Sequence, residues 1–407
     1  MRGPDDAEPI HILYATAETF PTHRPDVRVL FGETLPANGV AVDLLAMAAP
    51  DARAGDWKAG QAHLRRTSSR LGLLAGDLWQ QISLLWRCAR GYQALVVRDK
   101  PVLGVIGLLG ARLWRIRYFY WMSYPMPASY LAIARRPAGS IGALRRTWNF
   151  VRGHLGQFCL DRILVPRSDW LFVQSDEMLR SLRKAGLAHQ RVSAVPMGVD
   201  VDAVPPPAEQ MPEALRGRRL GVYLGTLDRS RDPQLLVDSA MRVAVRHSDF
   251  TLVIIGEAEE PSDRGWLPDY AQHAGAGASV WFTGWIPYRD GLALARHAEF
   301  GVSPIPRTEL TEVGSPTKAV EYLACGLPVV ANDQPDQAHV VRSSGGGVLV
   351  PMDAEGLAKG MTEILDDRDA FRARAAAAKD WVASHRSYRV LGRDVARRMR
   401  EAIGTGR

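Results

Sequence analysis

Short apolar runs alternate with longer amphipathic stretches along most of this chain. In the first half the runs at Ile10–Ala15, Val40–Met47, Ala94–Val97, Arg117–Trp121 and Trp170–Gln174 read as strands. A polar loop, Glu18–Asp26, follows the first, then a helix-like stretch, Val27–Pro36, ended by Asn38-Gly39. A long basic helical zone is predicted from Trp57 to Arg90. Strands that alternate with helices predict a parallel sheet covered on both faces. The nearly uncharged run Pro101–Gly110 contains three glycines and is too short to span a bilayer. It reads as a buried strand or helix segment.

The pattern breaks at Ala203–Pro212, AVPPPAEQMP, where four prolines in ten residues resist helix and central strand alike. This predicts a linker, 203–215, between a first domain at 1–202 and a second at 216–385. The second block then resumes with a strand at Leu220–Leu224, a turn Gly225-Thr226-Leu227-Asp228 and a helix at Pro233–Arg246. Further strands are predicted at Leu252–Ile255, Val280–Thr283, Phe300–Ser303, Leu327–Ala331 and Val348–Val350. Three of them run directly into Gly225, Gly256 and Gly284. Open parallel sheets bind ligands at the carboxyl ends of their strands, and glycine there lets backbone approach a ligand closely. Three in succession point to a ligand crevice.

With 407 residues, 46% hydrophobic and 23% charged, the chain has an ordinary globular composition for two domains. Cys88, Cys159 and Cys325 are far apart and odd in number, so no disulfide framework or metal spacing is legible, and a cytoplasmic setting is expected. MRGPDDAEPI has no apolar signal core. The net charge of +7 is unevenly placed: residues 58–162 hold seventeen Lys or Arg against three acids, a local balance of +14. Trp79, Trp86, Trp114, Tyr118, Tyr120, Trp121 and Trp148 are interleaved with them. Two readings stay open: contact with an anionic membrane face, on the inner side of the plasma membrane, or an Arg-rich surface over a tryptophan core. Nucleic acid is not expected as a partner, because no nucleic-acid module is present.

The segment Gly314–Asp333, GSPTKAVEYLACGLPVVAND, carries the most chemistry. A Gly-Ser-Pro turn leads into a short helix that stops at Cys325-Gly326. A helix opened by Gly314 presents unpaired N–H groups and a positive dipole end to a phosphate. Glu321, about two turns in, is placed to accept bonds from sugar hydroxyls. By itself the segment fits an ordinary loop–helix–strand unit better than a nucleotide-sugar diphosphate site, because single motif matches often arise by chance.

The same segment, with SDWLFVQSDEMLRSLRKAG, VPMGVDVD, YLGTLDRSRDP, LVIIGEAEE, WFTGWIPY and VSPIP in this order and spacing, resembles the retaining GT4-type glycosyltransferases (glycosyl transferases group 1) of the GT-B fold. The resemblance implies an α/β chain of two Rossmann-like domains facing across a cleft. The first would bind the acceptor and the second the sugar nucleotide, and the final segment, 386–407, would cross back as a helix onto the first. It implies transfer of a sugar, with retention, from a nucleotide-diphosphate sugar to an acceptor hydroxyl, in cell-surface polysaccharide or lipid-linked glycan assembly. By the same resemblance the catalytic residues are Arg231, Lys318 and Glu321, with Glu321 holding the nucleotide ribose. The donor would lie along Gly225, Thr226, Gly256, Trp285, Pro304, Gly314, Ser315, Pro316 and Thr317. A guanidinium against the diphosphate stabilises the leaving group without a metal. No metal site is expected, since no Asp-x-Asp motif occupies a suitable loop, and no cofactor beyond the nucleotide-sugar substrate. The acceptor candidates are Glu18, His23, Asp26 and Ser123.

The chain departs from the family pattern at defined places. The first glutamate of a Glu-x7-Glu pair is expected at position 313, which is Val313; Glu312 and Glu309 are the neighbouring acids. Thr226 stands where a basic residue is often found, THRPDVR replaces the N-terminal glycine pair, and Ser123 stands roughly where a histidine is usual. These departures keep a second reading alive, a non-catalytic GT-B scaffold in a glycan-assembly complex.

Overall fold

The computed structural model describes residues 9–22, 24–49, 52–66, 79–87, 91–137, 141–187, 189 and 191–404. The chain divides into two compact units, Met1–Met197 with Tyr388–Arg407, and Gly198–Ser387.

Unit 1 is built on a seven-stranded sheet in the order β3-β2-β1-β4-β5-β6-β7, with every neighbouring pair parallel. The strands are β1 (Ile10–Phe20), β2 (Val40–Ala48), β3 (Ala62–Arg66), β4 (Ala94–Arg98), β5 (Arg117–Met122), β6 (Trp170–Val173) and β7 (Val192–Ala194). Residue for residue, β4 is buried, as a central strand covered on both faces must be. The helices are α1, wound as a π-helix over Asp26–Thr34 and as an α-helix over Leu35–Ala37, α2 (79–87), α3 (Pro101–Leu113), α4 (Met126–Ala134) and α5 (Ala143–Cys159). A π-wound turn, Leu160–Leu164, joins α5 to α6 (Val165–Arg167), and α7 is Asp176–Lys184.

Unit 2 has a six-stranded parallel sheet in the order β10-β9-β8-β11-β12-β13. Its strands are β8 (Arg219–Leu224), β9 (Phe250–Ile255), β10 (Val280–Gly284), β11 (Phe300–Ser303), β12 (Val329–Ala331) and β13 (Gly347–Leu349). Its helices are α8 (Gln234–Arg246), α9 (Trp266–His273), α10 (Tyr288–Ala295), α11 (Glu309–Glu312), α12 (Lys318–Ala324), α13 (Pro335–Ser344), α14 (Ala354–Asp366) and α15 (Arg368–His385). The last helix, α16 (Tyr388–Gly404), packs on α1 of unit 1: Gly392 lies against Thr34, and Val395, Ala396, Met399 and Ala402 are buried. A Cβ at Gly392 would run into the Thr34 side chain, so glycine is what fits there.

The α/β, GT-B class expected from the sequence is the class of this structure, and each unit is Rossmann-like. Three local expectations are corrected and one open alternative is resolved. The basic zone from Trp57 to Arg90 is not one helix: Ala62–Arg66 pairs with Leu44–Ala48 as an edge strand, and helix is present over 79–87. Backbone pairing at the sheet edge overrides a weak helical pattern there. The polar loop expected from Glu18 is partly strand, since Thr19 and Phe20 pair with Met47 and Ala48 after an irregularity in register. Pro101–Gly110 resolves as helix, with Gly104 and Gly107 set against Leu164, Tyr120, Leu84 and Leu95. The helix expected to open at Gly314 begins at Lys318. In the proline-rich stretch, the Pro205 and Ala208 carbonyls accept from Arg296 and His297 at the end of α10, which ties the stretch to unit 2.

Candidate functional site

In unit 2 the chain builds outward from β8 in one direction and from β11 in the other, so the crevice between these two strands is a topological switch point. Three strand ends are stepped there by hydrogen bonds. The Gly225 N–H donates to the Ile255 carbonyl at 2.9 Å, and the Gly256 N–H to the Gly284 carbonyl at 3.0 Å. Gly256 has φ of +130° and lies directly against the Gly225 carbonyl, so a side chain there meets both backbone strain and a clash. A methyl on Gly225 would sit 2.6 Å from the Lys318 Cε and 2.8 Å from its Nζ. The glycine thus opens the strand end to the lysine ammonium.

Lys318 opens α12 and is half-buried, with its Nζ 5.4 Å from the centre of the Tyr223 ring. Burial, and then the charge of Arg231, push its pKa down to about 8, against a smaller upward pull from Glu321. Arg231 ends a short turn, Arg229–Arg231, and is exposed; its guanidinium has no carboxylate within ion-pair distance among the described residues. Glu321, one turn into α12, is buried. Burial raises its pKa, and hydrogen bonds from Tyr288 and Thr317 and the charge of Lys318 pull it back. Tyr322 anchors the helix: its ring covers Gly301, and its hydroxyl accepts the Leu224 N–H at 2.8 Å. The site therefore gathers two cations and one acid around a glycine-lined strand end.

A buried polar clamp shapes the loop that leads into α12, and sequence reasoning missed it. Ser303, Asn332, Gln334 and Gln337 are all essentially fully buried. The Gln337 amide donates to the Asn332 Oδ1 at 2.8 Å and the Ser303 carbonyl at 3.2 Å, while Ser303 Oγ donates to Gln337 Oε1 at 2.8 Å. Asn332 holds both polar groups of the Ile305 backbone, at 2.8 and 2.9 Å. Gln334 donates to the Thr311 and Gly314 carbonyls at 2.8 and 3.1 Å. Beside it, Ser315 donates to Asp336, which pairs with buried Arg386 at 2.6 Å. The one available sequence signal was NDQPDQ, a polar cluster straight after an apolar strand. Satisfied buried networks of this kind fix one loop geometry.

The other expected donor residues lie on segments that follow the carboxyl ends of β8, β10 and β11. Pro304 is buried after β11, Ser315 is held by Asp336, and Gly314, Pro316 and Thr317 form the loop into α12. Thr226 donates to Glu259 at 3.2 Å. Trp285 follows β10 and is 68% exposed. Glu312, one of the two acids nearest Val313, is spent on Arg307, which donates to it at 2.9 Å and also pairs with Asp333 at 2.7 Å. Glu309 is exposed on α11, and Val313 caps that helix.

Unit 1 has its own switch point, between β1 and β4. A cavity of about 470 Å³ lies there, lined by Glu18, Thr19, Pro21, Thr22, Arg24, Asp99, Tyr124 and Met126. Of the acceptor candidates, Glu18 lines it. Asp26 and Ser123 are buried and bound to Arg98, the fully buried last residue of β4. Arg98 donates to Asp26 at 2.7 Å, to Ser123 Oγ at 2.8 and 3.0 Å, to Asp99 at 3.2 Å and to the Tyr14 hydroxyl at 3.2 Å. Burial pushes the Asp26 carboxyl up, but Arg98 and Arg24 outweigh it and hold it below its ordinary value. Asp99, not singled out from the sequence, reaches the cavity from a left-handed backbone, φ +54°, and accepts the Ser123 and Tyr124 N–H groups at 2.7 and 3.1 Å. His23 lies outside the described residues.

Residues 218–367 match the family described as glycosyl transferases group 1. The chain is 28% identical over 229 residues to the glycogen synthase of Mycobacterium tuberculosis, covering 54% of this chain and 51% of that protein. It is 27% identical over 218 residues to the phosphatidyl-myo-inositol mannosyltransferase of the same organism, covering 52% of this chain and 54% of that protein. It thus spans about half the length of these curated relatives. In fold it is similar to the sucrose-phosphate synthase of Thermosynechococcus elongatus, with a TM-score of 0.72 and 17% identity over 98% of this chain and 100% of that one.

Proposed function

We propose that this chain, which belongs to the glycosyl transferases group 1 family through residues 218–367, moves a sugar from a nucleotide-diphosphate sugar to an acceptor hydroxyl with retention. The observation that carries the reading is the placing of the Lys318 ammonium over Gly225 at the unit 2 switch point, with Glu321 one turn on. A diphosphate leaving group develops charge as the glycosidic bond breaks. Lys318 and Arg231 answer that charge from the protein itself, with no metal called for. Glu321, raised by burial yet held by Tyr288 and Thr317, accepts from the ribose hydroxyls. The leaving phosphate takes the acceptor proton, which fits a site with no dedicated base. The 470 Å³ cavity of unit 1, with Glu18, Asp99 and Arg24 on its wall, takes the acceptor. The phosphatidyl-myo-inositol mannosyltransferase likeness supports a lipid-linked glycan acceptor at the inner membrane face.

A thermal-shift panel of nucleotide sugars tests this, because a ligand bound only by the native state raises Tm. One donor is expected to raise it clearly, and Glu321→Ala to abolish the rise. Full retention of the shift in that variant would move the ribose site elsewhere. Val313 supports a second reading, the non-catalytic scaffold: the adjacent acid, Glu312, is occupied by Arg307. Donor binding without hydrolysis or transfer across an acceptor panel would favour it.

A further inference from the structure

A helix on the surface of a water-soluble unit turns its large apolar side chains inward and its polar ones outward. Helix α5 does the reverse. Leu144, Trp148, Val151, Leu155 and Phe158 recur every three or four residues, so they form one stripe. All five are exposed: Leu144 at 86%, Trp148 at 57% and Phe158 at 58%. The buried face of the same helix is Asn149, Gly153, Gly156 and Cys159. Its small residues are required where they are, because a methyl on Gly153 would lie 2.6 Å from Leu131 of α4, and one on Gly156 3.1 Å from Pro127. The helix is therefore locked with its apolar stripe facing out.

The charged residues of α5 itself are all cations, and Asp161 follows in the next turn. Arg145, Arg146 and Arg152 lie on α5, which carries no acid. Unit 1 exposes further apolar side chains on α3, Leu109 and Leu113, and a cavity of about 670 Å³ is lined by Leu108, Leu109, Ile163 and Pro166 with Arg112 and Arg167. A second copy of the chain is a poor occupant, since two such faces bring arginines against arginines. No described helix is long and apolar enough to cross a membrane. An apolar stripe bordered by arginines, with a tryptophan in it, instead suits a helix lying in the plane of an anionic bilayer surface.

We infer that the outward face of α5 docks unit 1 on an anionic lipid surface, its apolar stripe entering the interface and its arginines meeting the headgroups. The inference goes beyond sugar transfer and is independent of the donor. The test is flotation of the full chain at low salt with phosphatidylcholine vesicles and with mixed phosphatidylcholine–phosphatidylglycerol vesicles. Wild type is expected to float with the mixed vesicles and to be released by salt. The variant Leu144→Gln/Trp148→Gln/Phe158→Gln is expected to lose roughly tenfold or more in partition, at an unchanged Tm, because none of the three is packed in the core. Val245→Gln, which alters an apolar residue 89% exposed in unit 2, is expected to float as wild type. Equal recovery with both vesicle types, full binding by the triple variant, or a dimer broken by that variant in the absence of vesicle binding each overturns the inference. Nucleotide-sugar thermal shifts on the same samples report the donor site separately.

Discussion

Replacing Lys318 with methionine is expected to lower kcat/KM for sugar transfer by about 10²–10³-fold, the range seen when one preorganised donor to a developing charge is removed. Methionine keeps the apolar stem over the Tyr223 ring and deletes only the ammonium, so the fold is retained. The same residue makes donor binding depend on pH. Its folded pKa of about 8 lies below the ordinary value of 10.5 because of burial and Arg231. Without ligand, the unfolded chain holds that proton more tightly than the folded one. Stability of the free protein therefore rises as pH climbs through the window from about 8 to 10.5. A diphosphate reverses the balance, since it favours the charged lysine. Donor affinity is expected to be greatest below pH 8 and to fall above it, with proton uptake on binding within the window. Calorimetry in buffers of different ionisation enthalpy measures that uptake. In Arg231→Gln one of the two downward influences on the lysine is removed while burial remains, so the fall should move to higher pH. Donor affinity that stays flat across the window would remove Lys318 from the diphosphate site.

The second large effect is on stability. Arg98→Met is expected to destabilise unit 1 by about 3–5 kcal/mol, the cost of removing one partner from a buried ion pair. For a unit of this size that corresponds to a fall in Tm of roughly 10 °C. The deletion leaves buried Asp26 with Arg24 alone, takes the guanidinium from buried Asp99 and strips a bond from Ser123 and Tyr14. The pH signature separates this from simple loss of packing. In the wild type the lowered Asp26 pKa contributes stability above the unfolded value, and that contribution disappears as pH falls through the folded value. Without Arg98, the Asp26 carboxyl loses its largest downward influence and its pKa rises, with Arg24 alone still opposing burial. The gap between variant and wild type should then narrow in acid. A gap that is constant with pH, measured by thermal unfolding, would show that the ion pair is not the cause.

Much of unit 2 is legible in its sequence because its parallel strands are short apolar runs that end in glycine or proline. Leu220–Leu224, Leu252–Ile255 and Phe300–Ser303 were all found with ends within two residues of the observed strands. Edge elements were harder. Ala62–Arg66 is half-buried and carries two arginines, so its strand character comes from pairing with β2 and not from its own pattern. The start of α12 was misplaced by four residues, because Ser315 and the backbone before Lys318 are held by Asp336 and Gln334, residues far along the chain. Helix α5 has an apolar stripe that reads the same whether it faces a core or faces out.

Family resemblance offered Arg231, Lys318 and Glu321 as candidates; what the sequence determined by itself is the α/β class of fold and the order of most strands and helices. These rest on local periodicity, glycine placement and residue type, which are properties of neighbouring positions. What only the tertiary structure decided is which of those residues share a site and what state they are in. The descent of the Lys318 pKa, the engagement of Glu312 by Arg307, the burial of Asp26 and Ser123 under Arg98, and the outward turn of α5 all depend on groups distant in sequence. Burial and through-space charge are sums over everything nearby in space, and no window along the chain contains them.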